Sequence, residues 1–378
     1  MSGLYIHLPF CASRCIYCGF YSTTLPSLRD RYIEAAGREM TLRRSYLNPT
    51  DPCLKTIYLG GGTPSQLSIG QLQRLFHYIE ETWSLEAEQL SRMEITMECN
   101  PDDLTPDYVE GLRKLPVNRI SMGIQTFSDS RLAFLHRRHT ASEATEAVRL
   151  LQEAGFSNIS IDLMFGFPGE TVEEWKDDLR KALSLGVQHI SAYSLMYEEG
   201  TPLYRMLKEG KIKETDEETS LDMYRMLMDE LEATGFEHYE ISNFAQPGFR
   251  SRHNSSYWQQ TPYIGIGAAA HSYDLKSRQW NCSSINHYIK ALEAGKLPPM
   301  QREELDESTR YDDLVTTALR TREGLSIESL SPYYRHYLLS CAQPWIESGR
   351  MEISKGHLRI TRKGIFVSDD IMSDLMHV

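Results

Sequence analysis

The first two-thirds of the chain alternates short apolar runs with longer amphipathic stretches, a pattern typical of repeated βα units on a parallel sheet. Six apolar runs are predicted as strands: 3–7, 56–59, 94–98, 119–123, 158–165 and 189–194. Six amphipathic stretches are predicted as helices: 28–46, 69–83, 105–115, 141–154, 172–185 and 217–234. Caps and stops are expected at the ends of these helices: Ser68, Thr105, Thr140, Thr171, Gly155 and Gly186. The pattern therefore predicts an α/β fold, a partial and open βα barrel.

The pattern changes at Pro298-Pro299, so we divide the chain into residues 1–297, the barrel and its extension, and 298–378, a smaller domain. Helical pieces are predicted in this domain at 311–321, 326–330, 333–339 and 370–376, with a hairpin of 351–353 and 357–360. Helices followed by a two-stranded wing predict a winged-helix-like domain. No basic recognition helix accompanies the wing, which favours a substrate or partner cover over DNA binding.

Composition narrows the class of protein. With 41% hydrophobic and 24% charged residues among 378, the chain is typical of soluble globular proteins. The net charge of −12 argues against nucleic-acid binding. No apolar run is long enough to span a bilayer, and the first residues lack the features of a secretory signal. Seven cysteines, an odd number, suit a reducing compartment, so we expect a cytoplasmic protein.

Unusual residues follow five of the predicted strands. They are the loop that begins at Cys11, Gly60 to Pro64, Glu98 to Pro101, Gly123 to Phe127, and Asp162 with the following Phe165 to Gly169. Ligands in parallel α/β folds bind at the carboxyl ends of the strands. The sequence therefore predicts one pocket lined by all five segments.

Three cysteines after the first strand, Cys11, Cys15 and Cys18, have C-x3-C-x2-C spacing. Three thiolates can hold a [4Fe–4S] cluster and leave its fourth iron open to a small molecule. A zinc site with a distant fourth ligand, or incidental thiols, are the alternatives. The other cysteines are isolated, so no second zinc knuckle is present: Cys53, Cys99, Cys282 and Cys341.

Four polar residues lie at or beyond strand ends: Glu98, Gln125, Arg137 and Asp162. Each suits a solvated surface as well as a site. Glu98 and Asp162 have apolar neighbours in their strands, and a buried carboxylate needs hydrogen-bond donors, which ribose hydroxyls or an amino group would provide. Arg137 suits a carboxylate. The glycines at 60–62 suit either a tight turn or close approach to a ligand.

Two segments that contain histidine lie outside the repeated βα units. Gly265 to Ser272 is small enough to pass a planar ligand, where His271 could touch adenine or a second substrate, although a tight core crossing is equally consistent. Arg252 to Trp258 sets His253 beside two large aromatic residues, a combination of metal-ligating nitrogen and flat apolar surface that suits haem. A histidine satisfied within the core is the alternative.

Together these motifs resemble the radical S-adenosylmethionine (SAM) family over about residues 5–273. The matching segments are Y-x-H-x-P-F-C-x3-C-x-Y-C, GGGTPS, E-x-N-P, SMGIQTF, DLMFGFPGET and GIGAAAHS. The resemblance implies a radical SAM barrel whose cluster binds SAM, with Tyr17 beside the cluster. It also implies the residues that contact SAM: Tyr5, Gly61, Gly62, Thr63, Glu98, Gln125, Arg137 and Asp162.

Within that family the sequence is similar to the branch of oxygen-independent coproporphyrinogen III oxidases. The oxidases have a fourth cysteine two residues after the third and a longer N-terminal arm, whereas this chain has Phe20 at that position and four residues before Tyr5. The segment from His253 to Trp258 resembles haem chaperones of the same branch. The resemblance therefore implies a protein that binds haem, with His253 as its ligand, and delivers it to respiratory acceptor proteins.

The same resemblance leaves two other functions open. One is the oxidase reaction, in which propionates of coproporphyrinogen are decarboxylated, and the other is radical chemistry on a different tetrapyrrole. We assign no catalytic residue. An electron donor for the cluster and peripheral contact with membrane proteins are expected among the partners.

Overall fold

A computed structural model describes residues 2–47 and 54–377 of the protein. Six parallel strands form its centre: β1 (Ser2–Leu8), β2 (Leu54–Gly61), β3 (Glu94–Cys99), β4 (Arg119–Gln125), β5 (Ile159–Phe165) and β6 (His189–Ser194). Every strand predicted for this region is present, with both bounds within two residues of the prediction. Cys53 lies outside the described residues.

The sheet continues on both sides of these six strands. Its further strands are β7 (Glu237–Glu240), β8 (Asn243–Ala245), β9 (Tyr263–Ile266), β10 (His271–Tyr273), β11 (Ser277–Asn281) and β12 (Met300–Glu304). The order is β12-β11-β10-β9-β1-β2-β3-β4-β5-β6-β8-β7, so β12 and β7 are the two edges and do not pair with each other. The prediction of an open barrel is confirmed.

Helices pack on the outside of this sheet. They are α1 (Arg29–Arg43), α2 (Ile69–Trp83), α3 (Ala87–Arg92), α4 (Pro106–Leu112), α5 (Asp129–Phe134), α6 (Ala141–Glu153), α7 (Val172–Ser184), α8 (Pro202–Lys208), α9 (Glu217–Ala233), α10 (Arg252–Trp258) and α11 (Ile285–Glu293). The four expected caps accept a backbone hydrogen bond, and Gly155 and Gly186 have positive φ after α6 and α7. The short helices α3, α5 and α8 were not predicted, because six or seven residues carry too little periodicity.

Alternate residues of the central strands face opposite environments. Those that point outward, such as Ile57, Ile95 and Ile161, are fully buried in the hydrophobic core beneath the helices. Those that point inward are mostly polar, such as Ser121 and Ser191. Barrel interiors are usually filled by branched apolar side chains. A polar interior is instead typical of a ligand-binding cavity.

The C-terminal part has its own hydrophobic cluster, which begins at Tyr311. Its elements are α12 (Glu307–Ala318), β13 (Leu325–Ser326), α13 (Pro332–Glu347), β14 (Met351–Ser354), β15 (His357–Ile360) and α14 (Ser368–Leu375). The predicted hairpin is present, with β13 as a third strand beside it. Two helix predictions were wrong in extent, since 326–330 holds only a 3-10 turn and 333–339 belongs to the sixteen-residue α13.

The predicted division at residues 297 and 298 stays a prediction. Strand β12 lies beyond that point, yet it pairs with β11 of the large sheet along its whole length. A boundary after Glu304 therefore suits the packing better. None of the helices described is long and apolar enough to cross a membrane.

Candidate functional site

A cavity of about 460 Å³ extends from the loop after β1 into the barrel. Twelve of the predicted site residues line it: Tyr5, Cys11, Cys15, Tyr17, Cys18, Gly61, Gly62, Thr63, Glu98, Gln125, Arg137 and Asp162. They come from all the strand ends that the sequence singled out. His253 and His271 are the two predicted residues that do not line it.

The cysteine loop is held against the rest of the barrel by its backbone. The Cys11 amide donates to the Thr23 carbonyl at 2.9 Å, and the Ile16 amide donates to the Leu135 carbonyl at 3.2 Å. The Ile16 side chain is buried in a small apolar cluster with Leu135 and Leu203. These contacts fix the loop at the mouth of the cavity, with all three thiols on its wall.

Polar side chains donate hydrogen bonds to two of the three sulfurs. Thr63 Oγ1 donates to Cys11 Sγ and Arg137 donates to Cys15 Sγ, each at 3.6 Å. Burial raises the pKa of the Cys11 and Cys18 thiols. Their ionised, thiolate forms therefore need a positively charged partner such as iron. Among the described residues, no three potential ligands converge as a single metal ion would require. All three thiols line one cavity, and three thiolates are the ligands of a [4Fe–4S] cluster with one open iron.

The glycine segment after β2 packs tightly against the end of β1. A Cβ on Gly61, whose φ is +108°, would lie 2.5 Å from the His7 ring, and one on Gly62 would lie 2.8 Å from the backbone of residues 9 and 10. The Gly62 amide donates to the Leu8 carbonyl at 2.9 Å. Because Gly61 and Gly62 have no side chains, the segment after β2 can pack closely against the end of β1. This contact forms one side of the cavity.

Two buried carboxyl groups, those of Glu98 and Asp162, line the cavity. Glu98 accepts hydrogen bonds from Tyr58 Oη at 2.8 Å and from the Gly61 amide at 3.1 Å. Burial raises the pKa of Glu98 to about 7 and that of Asp162 to about 6. A ligand that donates hydrogen bonds or brings positive charge would favour the ionised form of both.

Arg137 links the cysteine loop to the strand ends. Besides Cys15 it donates to Asn100 Oδ1 at 2.8 Å and to the Gly123 carbonyl at 2.5 Å, while its Nε has no partner. Gln125, at the end of β4, has a left-handed backbone with φ of +72°. Asn100 was not predicted as a site residue, although it belongs to the E-x-N-P segment after β3.

His253 lies below the cavity, at the opposite end of the barrel. Its ring is fully buried, with Nδ1 2.8 Å from Thr56 Oγ1 and Nε2 2.8 Å from Tyr257 Oη. It stacks on the Tyr58 ring at 5.0 Å, and burial lowers its pKa to about 3. Contrary to expectation, the folded chain offers no free nitrogen here. A haem-ligand role for His253 stays a prediction, and it requires the ring to give up its hydrogen bond to Thr56 or to Tyr257.

Comparisons with known proteins agree on one family. A model of the radical SAM superfamily matches residues 5–182. Heme chaperone HemW of Lactococcus lactis is 37% identical over 88% of this chain and 85% of its own length. Heme chaperone HemW of Bacillus subtilis is 34% identical over 98% of both chains. The chain belongs to the HemW family of radical SAM proteins.

A solved structure shares the fold of this HemW-family chain. Coproporphyrinogen III oxidase (HemN) from Escherichia coli, described as a radical SAM enzyme, superposes with a TM-score of 0.84. The match covers 99% of this chain and 89% of that chain at 21% sequence identity. Such identity supports a common architecture and no more.

Membership of the radical SAM superfamily implies a [4Fe–4S] cluster and SAM. The donor set of the cavity fits both groups. Three thiols line it, and so do the carboxyls of Glu98 and Asp162 and the guanidinium of Arg137, which donates to Cys15 Sγ. These are the groups that would bind iron, hydroxyls or an ammonium, and a carboxylate.

His271, the other predicted residue outside the cavity, is exposed at the start of β10. Its ring stacks on Trp280 at 5.7 Å with an interplanar angle of 17°. The segment before it crosses the core tightly, since the Gly267 amide donates to the buried Glu39 carboxylate and the Ala268 amide donates to Tyr32 Oη, both at 2.9 Å. The alternative of a tight core crossing therefore applies to residues 265–272.

Several residues of the cavity were missed by sequence reasoning. They are Tyr58, Arg119, Ser121, Ser191, Tyr193, Met196 and Asn254. Strand alternation could have found Tyr58, Arg119 and Ser121, because they lie at even spacing from Gly60 or Gln125 within their own strands. Asn254 could not be found in this way, because it lies on the helix α10 and not on a strand. It lines the cavity, whereas His253 directly before it does not.

Proposed function

We propose that this chain is a haem chaperone that binds haem and passes it to acceptor proteins, on a scaffold that holds a [4Fe–4S] cluster and SAM. Two relatives described as heme chaperones are 37% and 34% identical over most of the chain. The observation that carries the proposal is Phe20, 74% exposed at the cavity mouth, where a fourth thiol would be expected in an oxidase. The cavity thus has the groups for SAM but a large apolar side chain at its entrance.

The cluster would be held by Cys11, Cys15 and Cys18, with Tyr17 beside it. The residues proposed for SAM are Tyr5, Gly61, Gly62, Thr63, Glu98, Gln125, Arg137 and Asp162, and their place on the cavity wall supports this role. When bound and reduced, a radical SAM centre supplies a 5'-deoxyadenosyl radical. The protein's own part is to orient the ligand through Glu98 and Asp162 and to exclude water from it.

Partners follow from this function. Haem-accepting respiratory proteins would take the haem, some of them through peripheral contact at a membrane, and an electron donor would reduce the cluster. All six described cysteines are free thiols, which suits a reducing cytoplasm. The overall negative charge supports partners other than nucleic acid.

The test is anaerobic reconstitution of the full chain followed by titration with haem. We expect a Soret band of bound haem in the wild-type protein. A variant with Cys11, Cys15 and Cys18 all changed to Ser should lose the iron and sulfide of the cluster. Comparing haem binding by this variant and by wild type shows whether haem binding depends on the cluster. Absence of haem binding by the reconstituted wild type would refute the proposal.

A further inference from the structure

Three large apolar side chains are exposed around the mouth of the cavity. Phe20 follows the cysteine loop, Tyr193 lies near the end of β6, and Met196 lies just beyond it, with exposed fractions of 74%, 40% and 61%. All three line the same cavity. Isolated exposed apolar residues need no explanation, but several at one cavity mouth mark a place where a ligand or partner covers them.

A histidine with a free ring lies at the same mouth. His136 is exposed, lines the cavity, and makes no side-chain hydrogen bond among the described residues. Its backbone has φ of +60°, a left-handed conformation that costs a side-chain-bearing residue free energy and that glycine adopts without strain. A neutral imidazole with an accessible nitrogen is a good ligand for iron.

His136 differs in this from three other histidines of the barrel. His139 is buried with Nε2 3.1 Å from the Ile124 carbonyl, and His253 has both ring nitrogens in hydrogen bonds. His271 is exposed but does not line the cavity. Among the described residues, His136 is therefore the one histidine of the cavity wall that can bind a metal without breaking an existing contact.

One charged group at this mouth is free to bind a carboxylate. Arg14 lines it, donates to the Ser22 carbonyl, and makes no ion pair with any described residue. Arg138 is also present but is paired with Asp102 and Asp103, and Glu198 is the acidic side chain on the same wall. Arg14 is thus a cation with donors to spare for a carboxylate.

We propose that haem lies across the mouth of this cavity, with its ring on Phe20, Tyr193 and Met196, a propionate near Arg14, and His136 as an axial ligand of the iron. This rests on the proposed haem-chaperone function and names its binding site. The apolar patch, the free imidazole and the unpaired guanidinium are complementary to a flat apolar ring with two carboxylates. The position also sets the haem beside the cysteine loop, since Arg14 and Phe20 belong to the segment that carries Cys15 and Cys18.

The experiment compares haem binding by the full-length protein and four variants. His136→Asn removes the ligand and keeps a residue that tolerates φ of +60°, so it should fold as well as wild type. A double variant, Phe20→Ser with Met196→Ser, removes apolar contacts. His287→Asn changes an exposed histidine elsewhere and is the matched control, and His253→Gln tests the earlier ligand hypothesis. Circular dichroism and thermal unfolding check the fold of each.

We expect His136→Asn to shift the Soret band, to change the electron paramagnetic resonance signal of the ferric haem, and to weaken haem binding by about tenfold or more. The double variant should weaken binding without changing the spin state, and His287→Asn should match wild type. Haem spectra and affinity unchanged in His136→Asn would overturn the site while leaving the chaperone function intact. Unchanged haem binding but impaired transfer in the double variant would show instead that the patch binds a protein. If wild type itself binds no haem, both proposals fail.

Discussion

At the scale of single residues, the most informative outcome concerns two neighbours on α10. Sequence reasoning chose His253 because an imidazole beside aromatic residues suits haem, yet Tyr58 and Tyr257 are the partners of a buried ring. Whether such a histidine faces a ligand or the core depends on the orientation of a seven-residue helix, which periodicity cannot determine. Its neighbour Asn254 faces the cavity instead.

Removing the His253 side chain should therefore destabilise the fold. His253→Ala loses the hydrogen bonds to Thr56 and Tyr257 and leaves a void under Tyr58, so the free energy of unfolding should fall by about 2–4 kcal/mol. Denaturant unfolding measures this. Undiminished stability together with lost haem binding would restore His253 as the ligand.

The buried Glu98 carboxyl should make stability depend on pH. Its pKa rises from 4.5 to about 7 on folding, so the folded protein keeps a proton that the unfolded chain has released. The free energy of unfolding should thus decrease as pH increases between about 4.5 and 7. Glu98→Gln should flatten this part of the profile, with the slope from Asp162 remaining. Identical profiles for wild type and variant would contradict the burial of this group.

At the scale of elements, close contact between the ends of β1 and β2 forms one side of the cavity. Gly61→Ala adds a Cβ 2.5 Å from His7 at a φ of +108°. Gly155→Ala is the matched control, because its φ is +91° and nothing lies within 4 Å of the added atom. We expect a cost of about 1 kcal/mol for the control from backbone strain alone and about 1–3 kcal/mol more for Gly61→Ala. Equal losses in chemical unfolding would show that crowding against His7 is unimportant.

Elements with strong periodicity were predictable, and those defined by long-range pairing were not. Helix α2 matches its predicted bounds, since Ser68 and the apolar stripe mark it in the sequence. Strand β12 was missed because its five residues are all exposed and its pairing with β11 is its main structural feature. The cavity was predictable because most of its residues lie at the carboxyl ends of strands. Arg119 was not, because it lies at the start of β4 and faces the cavity as a result of the alternating side-chain directions of the strand.

At the scale of the whole molecule, the protein is acidic and the interior of its barrel is polar. The C-terminal elements resemble a winged helix in outline, yet α13 has Arg335 as its single lysine or arginine. We expect no binding to duplex DNA at physiological salt, measured by fluorescence anisotropy. Saturable binding that weakens steeply with salt would contradict the assignment of this part as a cover or partner surface.

The central claim is that the radical SAM scaffold of this chain serves haem delivery. The most direct measurement incubates one anaerobically reconstituted preparation with haem and an apo-acceptor of the respiratory type, and in parallel with coproporphyrinogen III, reductant and SAM. We predict transfer of haem to the acceptor and no conversion of coproporphyrinogen. Formation of protoporphyrinogen without haem transfer would contradict the account and identify the protein as an oxidase.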